Sequence, residues 1–150
     1  VKLTVLSVGK DRSGLFAPGV EEYAKRIRRV AKLDVVELAE SKRAQAKVDE
    51  AQAILSRLQP HDVLVALDER GKSLTSVEWA RWLEGQQQYA RHLVLVIGGD
   101  EGLDESIRKR AQLVLSLSTM TLPHRLARLV LMEQLYRAMT IMRNEPYHRS

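Results

Sequence analysis

The chain contains no cysteine. That excludes disulfides and thiolate metal sites and gives no sign of an oxidising compartment. Long apolar runs are missing too. The longest without glycine, such as Leu93–Ile97, are far short of the roughly 20 residues that span a bilayer. The opening VKLTVLSVGK turns polar after Gly9 and is too short for a signal peptide. No membrane association is expected, and the natural location is the cytoplasm. Phosphate-binding signatures are absent: there is no G-x-x-x-x-G-K-[ST], and Gly9 after the first apolar run stands without a G-x-G-x-x-G. No G-x-S-x-G nucleophile elbow occurs. The four histidines, His61, His92, His124 and His148, are far apart with no partner at ligand spacing, so no metal is expected.

What is present is ordinary globular composition: 150 residues, 45% hydrophobic and 29% charged. This fits one domain over residues 1–150. Lysine and arginine number 24 against 19 acidic residues, a formal charge of +5. Such a balance permits nucleic-acid binding without demanding it. Distribution says more. Between Lys25 and Lys47 lie eight basic residues (Lys25, Arg26, Arg28, Arg29, Lys32, Lys42, Arg43, Lys47) and three acidic ones. A later group comprises Arg125, Arg128, Arg137, Arg143 and Arg149. These are either solvated helix faces or a positive surface that tracks a phosphate backbone. The first group favours the latter, because opposite charges seldom interrupt it.

Patterning predicts alternating elements. Strands are expected at Lys2–Val8, Leu33–Leu38, Val63–Leu67, His92–Ile97 and Leu113–Leu117. Helices are expected from Pro18, over Val48–Leu58, from a Thr75/Glu78 capping box to near Gly85, over Leu103–Arg110 with Asp104 as N-cap, and from Pro123 to about Met142. Alternation of this kind argues for an α/β fold with a parallel sheet flanked by helices. Ligands of such sheets bind at the carboxyl ends of the strands.

Three strand-end loops qualify. Ala66–Lys72 follows the third strand and reads by itself as a solvated turn. In Leu95–Leu103, LVIGGDEGL, Gly98 and Gly99 permit either a tight turn with positive φ or close approach of a flat ligand face to bare backbone. Leu117–Leu122 is rich in hydroxyls and free of charge and glycine. It suits a neutral or cationic ligand rather than a phosphate, which calls for glycines and a lysine. The last helix is apolar on more than one face, which predicts contact with a second copy of the chain. Glu133 and Arg137 within it form an i,i+4 pair, read as structural.

Taken together, KLTVLSVGK, VIGGDEGL, SLSTMTLPH and RLVLMEQLYRAMTIMRNEPYHRS closely resemble the ribosomal large-subunit RNA methyltransferase H family, a small branch of the SPOUT methyltransferases. The resemblance covers essentially the whole chain. It implies a C-terminal trefoil knot, a homodimer, and S-adenosylmethionine bound in the knot. It also implies methylation of N3 of a pseudouridine in the helix 69 loop of 23S rRNA in the assembled ribosome. Carried over by position, the cofactor residues are Leu67, Gly98, Gly99, Leu117, Ser118, Thr119, Met120, Thr121 and Leu122. Tyr147, His148 and Arg149 fall at the tail that would lie near the partner's cofactor and substrate. His148 is the first candidate base, and Arg149 or Arg125 would stabilise an imide anion. His124 is a second candidate base, set against a plain helix-start role. Asp100 departs from the small residue or proline expected there; it would bond a ribose hydroxyl or cap the turn. Two rival readings are an RNA-binding module without catalysis and a nucleotide-binding α/β enzyme.

Overall fold

A computed structural model describes residues 1–41 and 45–149. In chain order the elements are β1 (Lys2–Val8), α1 (Ala17–Arg28), β2 (Lys32–Leu38), α2 (Ala46–Leu55), β3 (Val63–Ser73), α3 (Ser76–Gln87), β4 (His92–Ile97), α4 (Glu105–Arg110), β5 (Leu113–Ser116) and α5 (His124–Met142). The five strands form one sheet in the order β2-β1-β4-β3-β5. Every pairing is parallel.

Strand β4 lies between β1 and β3, and no residue from Leu93 to Ile97 exceeds 4% exposure. Its unbroken apolar run is what a strand covered on both faces requires. Alternate residues feed separate cores. Leu93, Leu95 and Ile97 join Val20, Ile27, Trp79, Leu131 and Leu135 under α1, α3 and α5. Val94 and Val96 join Ile54, Leu64 and Ile107 under α2 and α4.

Local signals place most boundaries. Pro18 sits in the first turn of α1. Asp104 caps α4 by accepting from the Ser106 N–H. Thr75 and Glu78 close a reciprocal capping box on α3. Two expectations are corrected. The residues after Leu67 do not leave the sheet: β3 runs on to Ser73, pairing Lys72 and Ser73 with Leu115 and Ser116 after a shift in register. Gly71 allows the approach, since a Cβ there would sit 2.7 Å from the Val114 carbonyl oxygen. Helix α3 also passes through Gly85 to Gln87. Packing of Trp79 and Leu83 outweighs one poor helix former.

Helix α5 is anchored by a buried cation. Arg128 is 5% exposed and its Nη1 lies 3.3 Å from Glu37 Oε2 on β2. The same Glu37 oxygen accepts the Asp11 N–H at 2.9 Å, so one carboxylate fixes both α5 and the loop after β1.

Thr75→Ala removes the capping hydroxyl and is expected to cost about 1 kcal/mol. Gly85→Ala, where a Cβ meets nothing within 4 Å, is expected to stabilise by about 0.5–1 kcal/mol. Urea unfolding of the two variants measures both.

Candidate functional site

Because all strands run one way, their carboxyl ends share one edge of the sheet. A cleft of about 730 Å³ opens there, lined from β3 at its shift in register (Leu67–Arg70), the loop after β4 (Gly98–Leu103), the loop after β5 and the start of α5. Leu67, Ile97, Leu115 and Leu117 supply apolar wall. Of the predicted cofactor residues, Leu67, Gly98, Gly99, Leu117, Ser118, Met120, Thr121 and Leu122 line this cleft, as does Arg125. Thr119 does not line it.

The glycines answer to their own loop. A Cβ on Gly98 would lie 2.6 Å from the Gly102 carbonyl carbon, backbone against backbone. Gly102 has φ +77° and donates its N–H to the Gly99 carbonyl at 3.0 Å. The loop is a tight turn that doubles back on itself, so Gly98 and Gly102 are required before any ligand is considered. A Cβ on Gly99 would meet Glu40 Oε1 and Val8 Cγ1, each at 3.2 Å.

The hydroxyl-rich loop is held from within. Ser116 Oγ donates to the Ser118 carbonyl at 2.8 Å, and the Met120 N–H donates to Ser118 Oγ at 2.9 Å. Thr121 Oγ1 donates to Glu69 Oε2 at 2.6 Å, joining this loop to β3. Met120 is left largely exposed. On the other rim, Arg108 Nη1 reaches both Asp68 Oδ2 (3.2 Å) and the Leu103 carbonyl (2.8 Å). Burial raises the Asp68 carboxyl, but hydrogen bonds from Arg70 and the charges of Arg70 and Arg108 outweigh it and hold it below its ordinary value.

Four carboxylates (Asp68, Glu69, Asp100, Glu101) line the cleft against two guanidiniums (Arg70, Arg125). Arg125 is itself engaged, its Nε donating to the Lys10 carbonyl at 3.0 Å. A chain of net positive charge has therefore built a cleft with excess negative charge. That disfavours a phosphate and favours a cation.

The tail lies elsewhere. Tyr147, His148 and Arg149 do not line the cleft of their own chain. Tyr147 donates its hydroxyl to Glu133 Oε2 at 2.8 Å and packs edge-on against Tyr136, with the Arg137 guanidinium 4.8 Å from its ring centre. Burial first, then bonds to Tyr23 and Glu133, push the Tyr147 hydroxyl well above its ordinary range. Arg137 Nη1 lies 3.2 Å from His148 Nδ1. A guanidinium only donates, so Nδ1 is the bare nitrogen here. Arg149 is exposed. Glu133 and Arg137 are thus more than the helix pair the spacing predicts: besides their 2.6 Å ion pair they hold the tail.

His124 lies at the cleft with Nδ1 3.1 Å from Asp100 Oδ1 and Nε2 buried without a hydrogen-bond partner. The expectation of backbone bonding at the helix start is replaced by a carboxylate partner. Sequence spacing offered no route to this contact. In the basic segment, Arg26 pairs with Glu22 at 2.7 Å and Arg28 with Glu21 at 3.5 Å, so that face is partly neutralised. Lys42 and Arg43 lie outside the described residues. Among the described residues no helix is long and apolar enough to cross a membrane.

A parallel sheet flanked by helices, with its cleft at one edge, fits the class of α/β knot methyltransferases. The family model described as "Predicted SPOUT methyltransferase" matches residues 1–148, and the chain belongs to the SPOUT methyltransferase family. It is 53% identical over 157 residues to the ribosomal RNA large subunit methyltransferase H of Anaeromyxobacter sp. (strain Fw109-5), covering 99% of this chain and 100% of that protein. With the protein of the same description from Acetivibrio thermocellus (strain ATCC 27405) it shares 40% identity over 159 residues, again covering 99% and 100%. Among solved structures, the SpoU methyltransferase AviRb from Streptomyces viridochromogenes, in complex with the cofactor AdoMet, matches with TM-score 0.51. That match has 16% identity and covers 92% of this chain and 58% of that one.

Gly98→Ala is expected to destabilise the protein by about 1–3 kcal/mol, because backbone must yield to the new methyl. Thermal unfolding without any ligand checks it; an unchanged midpoint would mean the turn does not need its glycine.

Proposed function

We propose that the protein, acting as a single domain in a cytoplasmic homodimer, uses S-adenosylmethionine to methylate N3 of a pseudouridine in the helix 69 loop of 23S rRNA within the assembled ribosome. The observation that carries the cofactor reading is the charge of the cleft: carboxylates outnumber guanidiniums two to one among its lining residues. A sulfonium is a cation, and it suits such a place where a phosphate does not. The space fits as well, since small-molecule pockets run to about 300–1,000 Å³. The names of the relatives support large-subunit rRNA as the substrate.

Bound there, the cofactor supplies an electrophilic methyl group. The chain's own part is positioning, because an in-line transfer gains most from holding the partners in line. Leu67, Leu117 and Leu122 exclude water from the apolar part of the cleft, while backbone groups of Gly98, Gly99, Ser118, Met120 and Thr121 hold the polar part. Asp100, on the glycine loop, is a candidate partner for a ribose hydroxyl. The acceptor N3–H must lose its proton, and His148 takes it through the Nδ1 that Arg137 faces in the single chain. Arg149, with Arg125, offsets the negative charge that develops on the imide. The tail does not line the cleft of its own chain, which supports a site completed by the partner. The basic residues between Lys25 and Lys47 supply salt-sensitive contact with the rRNA backbone.

The reading that the chain only binds RNA has the basic segment in its favour, but it leaves an acidic cleft at the strand ends unused. Incorporation of tritium from labelled cofactor into ribosomes lacking the modification decides between them. We expect transfer to assembled ribosomes and little to naked rRNA; no incorporation, with no cofactor binding by calorimetry, would leave the binding module. His148→Ala is expected to lower kcat by about 10²–10⁴-fold while cofactor affinity stays the same.

A further inference from the structure

We propose that Glu40, His124 and Asp100 form a site for a divalent transition-metal ion, held between the Glu40 carboxylate and His124 Nε2, with Asp100 orienting the imidazole. The three residues come from three places: the exit of β2, the glycine loop after β4, and the first residue of α5. One ligand atom from each lies within 4.8 Å of the others.

The imidazole carries the evidence. The His124 side chain is only 9% exposed, and its Nε2 has no hydrogen-bond partner. Its Nδ1 lies 3.1 Å from Asp100 Oδ1. With Nδ1 as the protonated nitrogen beside that carboxylate, the Nε2 lone pair would face Glu40. This is the arrangement in which a carboxylate orients a metal-binding histidine through its second nitrogen. Across the gap, Nε2 and Glu40 Oε1 stand 3.9 Å apart. That is too long for a hydrogen bond. It falls between the ~3.4 Å of neighbouring tetrahedral ligands and the ~4.2 Å of a straight-line pair, at about 2.1 Å per bond, so one ion can touch both.

Gly9 keeps the gap clear. A Cβ there would lie 2.7 Å from Glu40 Oε1 and 3.0 Å from His124 Nε2, so any side chain would intrude between them. The surroundings are negative as well. Burial raises the Glu50 carboxyl, a hydrogen bond from the Ser41 N–H opposes this, and the charges of Glu40, Glu101 and Asp100 add to the rise. Glu40 is 37% exposed in its side chain and provides the entry path. One imidazole nitrogen with carboxylate oxygen suits zinc, cobalt or nickel rather than calcium or magnesium. The competing occupant of the gap is a proton, giving an imidazolium between two carboxylates. The site stands whether or not the cleft binds the sulfonium cofactor.

The test uses the full chain, stripped with chelator, and Co²⁺ alone at neutral pH. We expect one equivalent to bind with visible d–d absorption and to be displaced by Zn²⁺. His124→Gln abolishes that signal, and Asp100→Asn weakens binding by roughly 10–100-fold. Circular dichroism verifies the fold of each variant. Absence of cobalt binding, or equal binding by His124→Gln, overturns the proposal and leaves the imidazolium. If His124→Gln does not fold, imidazole NMR of the native chain decides. Zn²⁺ must shift the His124 resonances, and a shift confined to another histidine, or none, overturns the proposal.

Discussion

The constraint on which the rest depends is that every strand of the sheet runs the same way. Parallel pairing hides both faces of the central strand under helices, so β4 is apolar from Leu93 to Ile97, and much of the polar chemistry of the cleft falls to the loops at the strand endings. All of those endings then fall on one edge. Side chains distant in sequence, such as Glu40, Asp68, Asp100 and Thr121, become neighbours there without any local motif to join them. The cleft is a consequence of direction before it is a consequence of chemistry.

That edge has to be tied together, because loops at strand ends have little core of their own. The ties are polar and cross between elements. Arg108 joins Asp68 to the Leu103 carbonyl, Thr121 joins Glu69, and Arg128 meets Glu37. The last is the most consequential, since a guanidinium so deeply buried cannot lose its carboxylate without leaving an unpaired charge in the core. It ties the first turns of α5 to β2, beside the hydroxyl-rich loop that precedes the helix.

The sequence was most legible where a local cause decides the outcome. The limits of β1 and β4 follow from apolar runs ending at Gly9 and Gly98, the start of α3 from Thr75 and Glu78, and the start of α5 from Pro123. It was least legible where distant backbone decides. The residues after Leu67 look like a turn, and only β5 alongside makes them strand. Gly98 could be read as an invitation to a ligand, yet its reason is Gly102, four residues on. Eight of the nine cofactor residues that the family resemblance implies fall in one cleft, and patterning alone places only the strand ends that carry them. Thr119 is the exception: nothing in a run of hydroxyl-bearing residues tells which faces inward. The meeting of Asp100 with His124 was out of reach, since it depends on how two separate loops pass each other.

Helix α5 shows why a residue can be right in type and too narrow in role. An acid amid apolar surface usually asks for a nearby base, and Arg137 one turn on satisfies Glu133 fully as an ion pair. But a carboxylate has two oxygens and several lone pairs, and a single arginine leaves capacity over. The tail uses it: Tyr147 donates to the same Oε2, while the guanidinium covers the Tyr147 ring and reaches His148. The pair therefore works as a bracket that holds two tail residues by their polar atoms rather than by a large apolar contact. Polar holding of this kind can be exchanged for other polar partners at little net cost, because each bond lost is replaced by another of similar strength. That manner of holding suits the proposed completion of a second chain's cleft by the tail.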